Sequence, residues 1–231
     1  MNYTEIQEYL QNNSDSNYRL FTIKLVPELN NCFGVRVPII RSFAKTLSRN
    51  KVDSDVIAML WNSNIYEEKI LLGLLLGTTK YTDFESSRND VLQFIDKIDN
   101  WAVCDLFVSA LKPVMKNHRE SYYHIAIELA QSKNDWHCRF GLVLLLAYFI
   151  NNKTIDEILD VSNKIISEAY YVRMANAWLL SYVYIFDKEK TIIFLQNSQL
   201  DKWTVNKAIQ KIRESNRVAP EDKITVLKLK R

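Results

Sequence analysis

The sequence predicts an all-α protein, an α-α superhelix of the repeat-solenoid type, on three observations. An aromatic residue returns at a fixed interval: Tyr66, Trp101, Trp136 and Tyr171 stand 35 residues apart, and Trp203 follows after 32. Periods of roughly 20 to 50 residues are the signature of stacked repeats. Only four Gly and four Pro occur in 231 residues, which argues against the many tight turns of a sandwich or barrel. The 48% hydrophobic content is enough to bury one continuous core.

Taken in order, the chain opens on MNYTEIQEYLQNN, polar and amphipathic, with none of the apolar character of a secretory signal. Gly34 is expected to end one element. Pro38, in GVRVPIIRSFAK, suits the first turn of the next helix, which carries Phe43, Ala44 and Leu47 on its apolar side. Each later aromatic is expected to lead a helix. Asp99 with Asn100 before Trp101, and Asn134 with Asp135 before Trp136, supply the acceptors that the first amides of a helix require.

A second helix fits within each period. Apolar residues recur at helical spacing near Phe84 to Ile98, Arg119 to Gln131, Thr154 to Ser167 and Lys188 to Gln196. Thr154 and Glu157 have the spacing of a capping box. The richest apolar run, Phe140 to Ile150, is too short to span a bilayer and suits a buried helix. No linker or low-complexity segment divides the sequence, so residues 1–231 are expected to form a single domain, cytoplasmic and without a membrane anchor.

Cys32, Cys104 and Cys138 lack CxxC or metal-type spacing and are read as small apolar fillers of a reduced protein. His118, His124 and His137 show no spacing for catalysis or metal ligation. Neither a metal nor a cofactor is expected, and oligomeric state is unmarked. The net charge of +3 hides an asymmetry: residues 202–231 carry +6, and residues 1–201 carry −3. A polyanion would be drawn to the basic end, although a solvated helix end has the same composition.

Numbering each aromatic-led helix from its aromatic as zero, positions 0, 3, 4 and 7 share one face. That face holds Trp101, Cys104, Asp105 and Val108 in one helix, with Val103, Leu106, Phe107 and Ala110 opposite as core. In the next it holds Trp136, Arg139, Phe140 and Val143, with Cys138, Leu142 and Leu145 opposite. In the third it holds Tyr171, Met174, Ala175 and Trp178, while Arg173 and Asn176 fall on the arc expected to be core. Stacked repeats align such faces into one surface, which would collect Trp101, Asp105, Arg139 and Trp178.

The ordered set Trp101 and Asp105 (W-x-x-x-D), Arg139 and Trp178, with GVRVPIIRSFAK and WTVNKAIQKIRESNRV, resembles the AlkD-type branch of the bacterial DNA alkylation repair family over essentially the whole chain. The resemblance implies a HEAT-like (ARM-type) repeat solenoid and a DNA glycosylase that removes cationic N3- or N7-alkylated purines from duplex DNA without base flipping. The implied catalytic residues are Asp105, which would stabilise positive charge on the sugar, and Trp101 and Trp178, which would wall the site. Arg139 would grip a phosphate, with Arg173, Lys207 and Lys211 extending the backbone contacts. The partner would be double-stranded DNA containing alkylated purines.

Each assignment has an ordinary structural counterpart. A helix-leading Trp is more often a packing anchor than a catalytic wall, and Trp61, Trp136 and Trp203 are read as anchors. Asp105 has the alternative of pairing with Arg139. The competing function is a non-catalytic repeat scaffold that binds DNA or a protein partner.

Overall fold

A computed structural model of the chain describes every residue from Met1 to Arg231 except Glu28 and Lys51. Among the described residues there are fifteen helices and no strand, with one isolated bridge between Ser14 and Val35. The chain divides into two compact units, Met1–His118 and Arg119–Arg231. No helix among the described residues is long and apolar enough to cross a membrane.

The first unit comprises α1 (Tyr3–Asn12), α2 (Ser16–Leu25), α3 (Val37–Asn50), α4 (Ser54–Asn62), α5 (Tyr66–Thr78), α6 (Phe84–Ile95), α7 (Trp101–Ala110) and α8 (Lys112–Asn117). The second comprises α9 (Arg119–Ala130), α10 (Asp135–Tyr148), α11 (Ile155–Lys164), α12 (Tyr170–Phe186), α13 (Lys188–Asn197), α14 (Lys202–Glu214) and α15 (Pro220–Leu227). Every periodic aromatic is thus the first or second residue of its helix, in α5, α7, α10, α12 and α14. The four intervening segments form α6, α9, α11 and α13. Pro38 is the second residue of α3, where its missing amide hydrogen breaks no helical bond.

Short polar side chains start many of these helices. Asn2, Asp15, Asp83, Asn100, Asn134, Asp187 and Asp201 each accept a hydrogen bond from an amide of the following first turn. The Thr154 and Glu157 capping box does not form. Thr154 bonds the Phe149 carbonyl instead, while Glu157 accepts the Tyr123 hydroxyl at 2.6 Å. Gly34 also differs from expectation: α2 already ends at Leu25, and Gly34 lies in the connection to α3 with φ of +89°.

The centre of the first unit is α5, which packs against α3 on one side and α7 on the other. It is buried from Tyr66 to Gly77, charged first turn included. Glu67, fully buried, accepts from three consecutive backbone amides: Phe33 at 2.9 Å, Gly34 at 2.7 Å and Val35 at 3.1 Å. The left-handed conformation of Gly34 lets these amides converge, and its missing side chain leaves room for Arg19 and the Asp15 carbonyl. Glu68 takes the Tyr3 hydroxyl at 2.7 Å, and Lys69 pairs with Asp99 at 2.6 Å.

In the second unit α10 packs between α9 and α12, and α12 in turn packs against α14. The α9–α10 approach is close because residue 141 is glycine. A Cβ there would lie 2.3 Å from the Ala130 nitrogen and 2.7 Å from the Ala126 oxygen. Periodic aromatics meet across these helix pairs: Trp136 stacks on Tyr171 at 5.3 Å, and Tyr170 meets Trp203 edge-on at 5.7 Å. Asn176 lies on the core arc because it has a buried partner. Its amide donates to the Ser162 carbonyl at 3.1 Å, and its oxygen accepts the Ser162 hydroxyl at 2.7 Å.

Candidate nucleic-acid interface

In the first unit the candidate residues stand on α7, which begins where Asn100 caps the amide of Val103. The helix shows three successive residues at four-residue spacing that are not buried: Trp101 and Asp105, half-buried, and Ser109, exposed. Such spacing drifts only about 40° per step, so they form one stripe. Asp105 therefore lies outside the core of its unit. The rest of the expected face does not join it, because Cys104 and Val108 are buried together with Val103 and Phe107. The open side of α7 is displaced from the expected face: Leu106 and Ala110, expected in the core, are only half-buried, while Cys104 and Val108 are covered, with α5 packed against the helix.

Two contacts fix the ends of this stripe. The Trp101 indole nitrogen donates to the Leu25 carbonyl at 3.1 Å, so the ring is oriented by the end of α2. Arg41 of α3 donates to the Ser109 hydroxyl at 2.8 Å, which in turn donates to the Leu106 carbonyl at 2.7 Å. Arg41, Lys45 and Arg49 recur every four residues on α3, and all three are exposed. A carboxylate-bearing stripe is thus flanked by a cationic edge.

In the second unit α12 has a half-buried stripe of Tyr171, Met174, Trp178 and Tyr182. This is the expected face without Ala175, which is buried. Trp178 meets Tyr182 edge-on at 6.0 Å, and the Arg217 guanidinium lies 5.7 Å from the Tyr182 ring centre. The aromatic end of this surface is therefore cation-flanked as well.

The expected phosphate contacts differ widely in setting. Arg139 is only 4% exposed, and it donates to the Tyr171 carbonyl at 2.9 Å. Phe140 and Val143 are buried beside it, so α10 shows almost no open face; the glycine-tight α9 contact and the α12 contact enclose it from both sides. Arg173 pairs with Glu168 at 3.3 Å and Asp201 at 3.7 Å, its guanidinium 4.6 Å from the Trp203 ring centre. The Lys207 ammonium lies 5.4 Å from the same ring and donates to Gln210 at 2.8 Å. Lys211 is paired with Glu214 at 2.9 Å.

Of the sequence-derived residues, Trp101 and Asp105 share one stripe, and Arg173 and Lys207 share the Trp203 ring. Trp178 keeps company with Tyr182, while Lys211 turns to its own helix. Arg41, Tyr182 and Arg217 were not anticipated. Tyr182 follows from extending the face of α12 by one more turn beyond Trp178. The Arg41–Ser109 contact joins residues 68 positions apart and leaves no local signal.

The three cysteines are buried, and burial pushes the Cys138 thiol up to about 12, with the nearby Asp135 charge adding to it. Thiolate chemistry is disfavoured there. A carboxylate one turn from an indole, both half open to solvent, can stabilise a neighbouring positive centre, and exposed guanidinium and ammonium groups can hold phosphates. Compared with protein-family models, residues 6–212 match the family described as DNA alkylation repair enzyme. No curated protein matches the chain.

Proposed function

Given that the chain belongs to the DNA alkylation repair enzyme family, we propose that it is a DNA N-glycosylase acting on cationic N3- or N7-alkylated purines in duplex DNA. The half-buried stripe of α7 carrying Trp101 and Asp105 supports this reading most directly. An alkylated purine of this type already bears positive charge and departs as a neutral base, so protonation of the leaving group is dispensable. What remains is positive charge growing on the deoxyribose as the glycosidic bond breaks. A carboxylate near C1′ would stabilise that charge and orient the attacking water.

Asp105 has this role, with Trp101 beside it on the same stripe of α7 as an aromatic wall, and the base need not leave the duplex stack. Residues 1–231 act as one domain on one duplex in this reading. Arg41, Arg173 and Lys207 hold phosphates. Arg139, with its guanidinium on the Tyr171 carbonyl, contributes its charge beside the backbone rather than a broad contact surface. Lys211 would exchange Glu214 for a phosphate. Contacts of this kind position DNA without reading its sequence.

At an effective dielectric of about 20, opposite charges about 4 Å apart attract by about 4 kcal/mol. Felt only in the transition state, this corresponds to a rate factor on the order of 10³. Asp105→Asn is expected to reduce release of N3- or N7-methylated purine from methylated duplex by that order, with duplex affinity and melting temperature retained. No release by the unaltered protein would refute the glycosylase reading.

A second reading, a non-catalytic repeat scaffold, is favoured by one observation: Trp136, Tyr171, Tyr170 and Trp203 are engaged with one another as packing residues. Salt-dependent duplex binding without base release would select its DNA-binding form. No binding at low salt would select a protein partner.

A further inference from the structure

We infer that in the second unit the Lys207 contact extends into a cleft for the DNA sugar-phosphate backbone, built on α14 and completed by Lys230. The inference rests on the DNA-binding part of the reading above and adds a contact surface to it. The cleft encloses about 680 Å³, and its lining includes Lys202, Trp203, Asn206, Lys207, Arg213 and Lys230. None of the described residues that line it is acidic. Four cations thus face one open volume, although residues 202–231 also contain Glu214, Glu221 and Asp222.

Helix electrostatics alone does not account for this arrangement. Lys202 is the first residue of α14, at the end where the helix dipole disfavours a cation. The Lys207 ammonium is held between the Trp203 ring and the neutral Gln210 amide, contacts that orient it without cancelling its charge. Lys230 follows the last helix and owes its position to its neighbour. The Arg231 guanidinium donates to the carbonyls of Leu195, Leu200 and Ser198, while the Asn206 side chain bonds both the amide and the carbonyl of Arg231, at 3.0 and 2.9 Å.

That latch folds the chain back along α14 and sets Lys230 among the other three cations. Assembling like charges in this way costs self-repulsion, which a polyanion relieves. The cleft is open and bordered by four cations, more positive charge than one phosphate neutralises, so the ligand assigned to it is the backbone of the duplex rather than a single free phosphate.

The test measures binding of an unmethylated duplex as a function of salt. Lys230→Ala and Arg213→Ala are each expected to weaken binding and to lower the slope of log affinity against log salt by about 0.9, the loss of one phosphate contact. Arg231→Ala, which breaks the latch but keeps Lys230, is expected to lower it similarly. Lys228→Ala makes the same charge change as Lys230→Ala outside the cleft and is expected to leave the slope within error.

An unchanged slope in both Lys230→Ala and Arg231→Ala, or an equal loss in Lys228→Ala, would overturn the inference. So would displacement of the duplex by inorganic phosphate beyond that by chloride at matched ionic strength, which would mark a free-phosphate site. Absence of duplex binding at low salt would overturn it as well. Base release with an unchanged slope would remove the cleft alone, whereas a cleft-dependent slope without base release would remove the glycosylase assignment alone.

Discussion

Replacing Glu67 is expected to destabilise the first unit severely, and the size of the effect follows from its partners. The carboxylate is fully buried and is the acceptor for three consecutive amides, two of those bonds lying entirely inside. Glu67→Ala strands these donors. At about 1 to 3 kcal/mol for each buried donor left unsatisfied, the two interior ones alone cost about 2 to 6 kcal/mol. That is a large part of the roughly 5 to 15 kcal/mol typical of a whole domain. For a chain of this size it corresponds to a fall in melting temperature on the order of 10 °C. Glu67→Gln keeps one acceptor oxygen and gives up charge-assisted bonding, so it is expected to lose about 1.5 to 3 kcal/mol. Urea titration followed by circular dichroism, with the melt as a second measure, reads both variants. A Glu67→Ala protein within about 1 kcal/mol of its parent, roughly the worth of one ordinary hydrogen bond, would show that the amide cluster does not depend on this carboxylate.

The remaining expectations concern the second unit. Gly141→Ala would push a methyl group against the α9 backbone, at 2.3 Å from the Ala130 nitrogen, and overpacking of this kind costs about 1 to 3 kcal/mol or more; an unchanged denaturation midpoint would contradict the close approach. Burial raises the Cys138 thiol from 9.0 to about 12, so the unfolded chain loses that proton first. The resulting stabilisation is complete below about pH 9 and is lost as pH rises towards 12. In Cys138→Ala the stability of the protein should fall less steeply over that window, and identical slopes would exclude the thiol as a contributor.

The aromatic interval and the short polar residues before it were enough to place helix starts, because both are local signals. Trp101 begins its helix, Trp136 and Trp203 stand second in theirs, and α6, α9, α11 and α13 fill the intervals. The exposed faces were harder to read. Assigning one open face to each helix suits α12, but α5 and α10 are enclosed by neighbours on two sides, and no local pattern records how many neighbours a helix will have. The Glu67, Glu68 and Lys69 run looks like a solvated first turn. It is buried because the 33–35 connection, Tyr3 and Asp99 each arrive from about 30 or more residues away. Arg139 escaped for the same reason: its partner, the Tyr171 carbonyl, lies on the next helix pair. Trp101 and Asp105 were legible as one side of α7, but that this side continues to Leu106, Ser109 and Ala110 and leaves out Cys104 and Val108 depends on packing against neighbouring helices.

Repetition brings a hazard that the Asn176–Ser162 pair addresses. Hairpins of similar length and apolar pattern can exchange partners as the chain condenses, joining a helix to the wrong neighbour in a collapsed but misassembled state. An amide and a hydroxyl that satisfy each other inside the α11–α12 contact penalise every such exchange, since either group set against a purely apolar surface would be buried without a partner. The pair thus labels one hairpin among several look-alikes. Removing both groups together is therefore expected to leave the denaturation midpoint of the finished fold nearly unchanged while lowering the yield of correctly assembled chains on refolding.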